Sequence, residues 1–275
     1  MHFGIIDIYL VLALIVAGII AGYSGGLFGI GGGAVLVPVF LTIFPFVGTA
    51  HAAVMHIAVG TSLALLVPNT LVAFLKQYKM GNIDFNLLKR WLPFVVVGAT
   101  IGASVVEFIP TVYLKVIFAT YLYASFMFIA LKKEVAKEFE GKPHGYSIGI
   151  AGILIGCFSV FLGMGGGTFT VPYTQLHNYP MRKAIALSSA TGVFIGIIGT
   201  IGVIISGLHV PGRAPHSLGF VNVIAFIIVL PFIIFFSPYG VRTANRLKRK
   251  NLKRMYAAFL LIVAFYMTAQ IFIKY

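Results

Sequence analysis

Charge is what this sequence has least of. Of its 275 residues, 9% are Asp, Glu, Lys or Arg, while 60% are apolar. A soluble domain carries about 25% charged residues, so a water-facing surface cannot be built from this chain. Cysteine is almost absent. The single Cys157 allows no disulfide within the chain and says nothing about redox compartment. Acid is missing from the middle of every apolar run. Glu107 reads as the one acid near a span, and it sits at the end of its run. Proton and cation pumps commonly use intramembrane carboxylates, so this absence weighs against that class. No His is followed by Glu, which removes the His-Glu-x-x-His metalloprotease pattern. No Ser-His-Asp set is visible either. The expectation is a protein that is not an enzyme, with no metal and no cofactor.

Present instead are long apolar runs along the whole chain, around Ile5 to Gly22, Val54 to Leu75, Leu92 to Phe108, Val116 to Leu131, Ser147 to Leu162, Ala184 to Ser206, Phe220 to Phe236 and Met255 to Ile273. A helix needs about 20 apolar residues to cross the hydrocarbon core. Several runs meet that length, while the first and fifth read as short. The first run has no Lys or Arg before it, and a glycine-rich tract follows it, so it reads as retained and not as a cleaved signal. The predicted fold class is an all-α integral membrane protein, multi-pass in the cell (inner) membrane.

The chain repeats itself. Gly29-Ile-Gly-Gly-Gly33 recurs as Gly163-Met-Gly-Gly-Gly167, each followed by a proline, Pro38 and Pro172. Met55 to Ser62 lines up with Met181 to Ser188, Pro93 and Gly102 with Pro231 and Gly240, and Leu114-Lys115 with Leu252-Lys253. The order is the same in both halves. Residues 1–131 read as one membrane repeat, 132–146 as a cytoplasmic linker and 147–275 as the second repeat.

The net charge of +14 is spread in a way that points to a membrane and away from nucleic acid. Gaps 76–90, 132–142, 182–183 and 242–254 hold 4, 4, 2 and 7 Lys plus Arg, which is 17 of the 20. Placing all four in the cytoplasm leaves only Lys115, Arg213 and Lys274 outside and satisfies the positive-inside rule. Equivalent gaps of the two copies then lie on opposite sides. The expectation is two inverted-topology repeats, as in many secondary transporters. Each would be a glycine-broken re-entrant pair of short helices followed by three transmembrane helices, with both termini outside.

Irregular backbone at membrane depth survives only when buried in protein or lining a wet cavity. A glycine run lets the chain reverse and lets a ligand approach the backbone. The helix that follows begins with unpaired N–H groups and a positive dipole end, which favour an anion. Gly31, Gly32, Gly33 and Ala34 in the first copy and Gly165, Gly166, Gly167 and Thr168 in the second are therefore candidate substrate contacts. Close packing alone is the competing reading. For the small-residue pairs Gly18/Gly22, Gly98/Gly102 and Gly192/Gly196, packing is the preferred one. Thr61, Ser62, Ser188 and Ser189 are candidate hydroxyl donors to an anion, or donors to the carbonyl one turn back. Thr168 and Thr170 read as helix caps, and Asn69 as glue between helices. His51 and His56 are candidates for coupling or gating, against a plain interfacial role. The expected partners are a small anionic substrate and the lipid bilayer, with no nucleic acid; a homo-oligomer is left open.

The twin glycine motifs closed by proline, together with Ala58-Val-Gly-Thr-Ser-Leu63, resemble the TauE/SafE family of sulfite exporters over nearly the whole chain. The resemblance implies a multi-span permease for sulfur-containing anions such as sulfite, sulfonates or thiosulfate. The second copy departs from it, with Leu187-Ser188 where the first has Thr61-Ser62. An anion channel, a non-transporting membrane subunit and an intramembrane enzyme are the alternatives.

Overall fold

The computed structural model describes residues 5–131, 143, 145–210 and 215–272. Ten α-helices follow in order: α1 Ile5–Phe28, α2 Gly33–Ile43, α3 His51–Lys79, α4 Phe85–Val105, α5 Thr111–Leu131, α6 Tyr146–Phe161, α7 Gly167–Leu176, α8 Met181–Gly207, α9 Val223–Arg246 and α10 Arg249–Phe272. All but α2, α6 and α7 are long and apolar enough to cross a membrane. The chain is therefore a multi-pass integral membrane protein, as its composition requires.

Each half contributes five helices in the same order, and the halves pack by exchange. Helix α1 lies along α9, with Gly18 against Val229 and Phe232, Gly22 against Ile233 and Gly26 against Ser237 and Val241. Its counterpart α6 lies along α4, with Gly98 against Ile153 and Gly102 against Cys157. Numbers rise together in both pairs, so both are parallel. The glycines admit the partner's backbone, because a methyl at Gly26 would stand 2.1 Å from the Ser237 carbonyl oxygen. The packing role expected for Gly18/Gly22, Gly98/Gly102 and Gly192/Gly196 is what these contacts describe.

Two pairs of equivalent helices meet each other head to tail. On α3 and α8, Leu63 faces Gly199, Val67 faces Gly196 and Thr70 faces Gly192. On α5 and α10, Lys115 reaches Gln270, while Tyr123 meets Thr268 and Phe265. Both pairs run antiparallel.

One end of the bundle gathers the basic loops. Asn82, between α3 and α4, donates to Asn245 near the end of α9 at 3.1 Å, and Tyr179, just before α8, donates to Asp84 at 3.4 Å. Asp84 caps α4 by accepting from Leu87 N, and Asn222 caps α9 by accepting from Ala225 N. The two caps close matching loops, Gly81-Asn-Ile-Asp84 and Gly219-Phe-Val-Asn222.

Several expectations need correction. The first run is not short: α1 has 24 residues because the helix continues through Gly25-Gly26 to Phe28. It also starts early enough to include Asp7, so Glu107 is not the one acid near a span. The run from Phe220 is helical only from Val223; before it, β1 Ser217–Leu218 and β2 Val221–Asn222 form a small antiparallel hairpin. Most of the 132–146 linker and Arg213 lie outside the described residues.

Candidate substrate site

The two glycine segments meet in the interior and pass each other. Gly33 lies against the Gly163 carbonyl, where a methyl would stand 2.1 Å from the oxygen, and Gly167 lies against the Gly29 carbonyl, where it would stand 2.2 Å away. Gly165 N donates to Ile30 O at 3.1 Å. Only residues without side chains allow two turns to touch backbone to backbone in this way.

The serines of the long helices brace the crossing. Ser62 Oγ donates to Gly163 O at 2.7 Å, and Ser188 Oγ donates to Gly29 O at 2.6 Å. These are equivalent residues, and each holds the first glycine of the other copy's motif. Ser189 donates to Ile185 O one turn back, and Thr168 to Gly165 O. Thr61 Oγ1 accepts from Asn222 N at 2.9 Å, which ties α3 to the hairpin. In this conformation the protons of Ser62, Ser188, Ser189 and Thr168 serve backbone carbonyls.

The backbone N–H groups are a different matter. Those of Ile30, Gly31, Gly32, Gly33 and Ala34 find no acceptor among the described residues, and all five residues are buried. Buried N–H groups are rarely left without a partner. Gly29, Gly31 and Gly32 have φ of 71°, 72° and 82°, the left-handed region in which glycine is at ease. Successive N–H groups in such a turn form an anion-binding concavity, here opening onto the N-terminus of α2. The Ser188 bond to Gly29 O polarises the peptide that carries the Ile30 N–H and strengthens that donor.

The second turn is less open. Gly165 N is engaged with Ile30 O, while Gly166 N and Gly167 N have no acceptor among the described residues. Gly166 has φ −50°, an ordinary helical value. Two buried polar atoms stand beside the turns without partners: Asn69 Oδ1, on the residue that faces Gly32, and Thr170 Oγ1, which faces Gly166. Asn69 also donates to Ala21 O at 3.2 Å, the bridging role expected of it. Ile195 takes the equivalent place beside Gly166, so the two turns differ in side chains as well as in backbone conformation.

His51 and His56 lie apart from this crossing. His51 is exposed at the start of α3. His56 is buried, with its Nε2 3.2 Å from Val106 O and its ring 5.2 Å from the ring of Phe220 in the hairpin.

Residues 14–267 match the sequence pattern described as Sulfite exporter TauE/SafE. The chain belongs to the TauE/SafE family. It is 31% identical over 256 residues to a probable membrane transporter protein of Haemophilus influenzae, covering 92% of this chain and 96% of that one. It is 29% identical over 259 residues to a probable membrane transporter protein of Methanocaldococcus jannaschii, covering 92% and 94%. No solved structure matches it. The family and these relatives identify a membrane transporter. The motifs that carry the family likeness, Gly29–Gly33, Gly163–Gly167 and the stretch holding Ser62, are the residues that build the crossing.

Proposed function

We propose that this transporter is a secondary carrier of small sulfur oxyanions, sulfite or sulfonates, which it binds at the crossed glycine turns. The observation that carries the proposal is the row of five buried N–H groups, Ile30 to Ala34, without acceptors among the described residues. A pyramidal or tetrahedral oxyanion presents three oxygens to such a row and needs no lysine to hold it. The described residues give the crossing no carboxylate that would repel it.

The carrier would work by alternating access between inverted repeats. The antiparallel pairing of α3 with α8 and of α5 with α10 supports inversion, as does the 17-to-3 split of basic residues. Exchange of α1 and α6 between halves supports rocking of one mixed bundle against the other. The crossing is buried in this conformation, which favours a carrier over an open channel.

The test is flux in proteoliposomes, using labelled sulfite, sulfonates, thiosulfate and sulfate, with and without a pH gradient. Saturable uptake accelerated by the same anion inside the vesicle is the expected result. Flux that rises linearly with concentration and shows no counterflow would favour a channel. Absence of flux for the whole panel would refute the sulfur-anion assignment.

A further inference from the structure

We propose that Asn69 selects the protonation state of the substrate, so that the species carried is the hydrogen sulfite monoanion and not the sulfite dianion. The proposal rests on the crossed turns being the anion site. Asn69 is fully buried within α3. Its Nδ2 donates to Ala21 O at 3.2 Å, and a carbonyl accepts only from the nitrogen end, so the amide has one orientation. Oδ1 is then left as an acceptor, and it has no donor among the described residues. A buried amide oxygen without a donor is costly, and a substrate that brings the donor removes the cost.

The amide stands at the turn itself. A methyl on Gly25 would lie 3.0 Å from the Asn69 amide carbon and 3.0 Å from Gly32 N, so the amide and the N–H row of the first turn are neighbours. Gly25 makes room for it, since that methyl would also stand 2.3 Å from Nδ2. Ser237 Oγ fixes the same residue from α9 by donating to its backbone carbonyl at 3.3 Å. The second copy does without the arrangement. Ser159 takes the place of Gly25, and Ile195 stands by Gly166 as Asn69 stands by Gly32. Packing of the helices therefore does not call for an amide at this position.

Hydrogen sulfite suits both kinds of group. Its two bare oxygens accept from the N–H groups, and its O–H donates to Oδ1. The dianion has three acceptor oxygens and nothing to donate, so one of them would face the amide oxygen lone pair to lone pair. Burial points the same way. The cost of taking an ion out of water grows with the square of its charge, and no Lys or Arg is buried among the described residues to offset a second charge. The proton then crosses the membrane on the substrate.

The pH dependence of binding should belong to the anion. The contacts of the amide, Ala21, Gly25, Gly32 and Ser237, carry no titratable group, and α8 has none from Ala184 to Gly207. The two tyrosines that reach the second turn, Tyr121 and Tyr256, donate to Thr168 O and Gly167 O.

The experiment compares sulfite with methanesulfinate, a pyramidal monoanion with a methyl where hydrogen sulfite has its hydroxyl. Binding to the full chain in detergent would be measured by calorimetry, without oxygen, from neutral to mildly alkaline pH. In the wild type, affinity for total sulfite should fall about tenfold for each pH unit above the anion's own pKa, while methanesulfinate should keep one affinity throughout. At the lower end of the range sulfite should bind roughly ten- to hundredfold more tightly than methanesulfinate, the worth of one hydrogen bond to a charged partner. Asn69→Leu should bring the two anions to equal affinity there.

The wild-type titration decides even where Asn69→Leu fails to fold. Sulfite affinity that is flat or rises with pH would mean that the dianion is bound, and would overturn the proposal. A folded Asn69→Leu protein that keeps the preference would take the selection away from Asn69. Methanesulfinate bound as tightly as sulfite by the wild type would sink the selection and leave the anion site standing, whereas no binding of either anion would remove the site and this proposal with it.

Discussion

Gly166 is the motif glycine at which substrate contact and architecture come apart. An alanine there adopts φ −50° without strain. Its methyl would meet Thr170 Oγ1 and Thr191 Cγ2 at 3.2 Å and Ile195 Cδ1 at 3.3 Å, all of them side-chain atoms that can yield by tenths of an ångström. Restricting the unfolded chain favours the variant by about 0.4–1 kcal/mol, which offsets mild crowding, so the baseline melting temperature should barely move. Gly33→Ala is the contrasting case. Its methyl would stand 2.1 Å from the Gly163 carbonyl, so the turns must separate by more than an ångström. Overpacking of that kind costs about 1–3 kcal/mol or more, and the melting temperature should fall.

Binding should respond differently. The Gly166 methyl sits beside the unpartnered Thr170 hydroxyl and the free N–H groups of Gly166 and Gly167. Blocking one hydrogen bond to a charged ligand costs about 1.5–3 kcal/mol, which is roughly a ten- to hundredfold loss of affinity. The assay is the melting temperature with and without sulfite, alongside KM for flux in proteoliposomes. A Gly166→Ala protein with an unchanged baseline and an unchanged sulfite response would show that the second turn is architecture only. A Gly33→Ala protein as stable as the wild type would refute the packing argument for the crossing itself.

Ser62→Ala and Ser188→Ala should each lower stability by about 1–3 kcal/mol, because each leaves a buried carbonyl without its donor; a raised KM with an unshifted melting temperature would instead make the hydroxyls substrate donors. Gly60→Ala should displace the hairpin, since its methyl would stand 2.3 Å from the Phe220 carbonyl oxygen; faster labelling of a cysteine placed at Thr61 would report the displacement, and unchanged labelling would count against it. Single cysteines at residues 80 and 248 should label from one side of the membrane and a cysteine at 218 from the other; a shared side would end the inverted arrangement.

The sequence made the backbone of this fold readable and left the side-chain bonds hidden. The recurring motifs, the glycine turns and the basic loops are patterns in residue order, so they could be read directly. The partner of Ser188 could not, because a serine in an apolar helix has a carbonyl one turn back as a ready acceptor. Ser189 uses that acceptor and Ser188 does not. The difference is set by a glycine carbonyl 159 residues away. The row of free N–H groups was legible as an expectation for Gly31 to Ala34. Its extension to Ile30 and its unequal counterpart at Gly165 to Gly167 depend on which turn donates to the other, and no spacing encodes that. Helix α1 runs beyond the first apolar run because Gly25 and Gly26 stay helical, and each is held to glycine by a close neighbour, Asn69 and Ser237.

The exchange of α1 and α6 has a consequence for synthesis. When residues 1–131 have entered the bilayer, α1 lacks α9, α4 lacks α6, and the first turn lacks the serine that holds Gly29. The groups that complete the early half lie far downstream: Ser188 is 159 residues beyond Gly29, and Thr243 is 220 beyond Tyr23. The nascent first half is thus an unfinished assembly whose polar turn waits in lipid or in the insertion machinery until α8 arrives. Neither half alone should yield a working unit, whereas two separately expressed halves that meet in one membrane should restore transport.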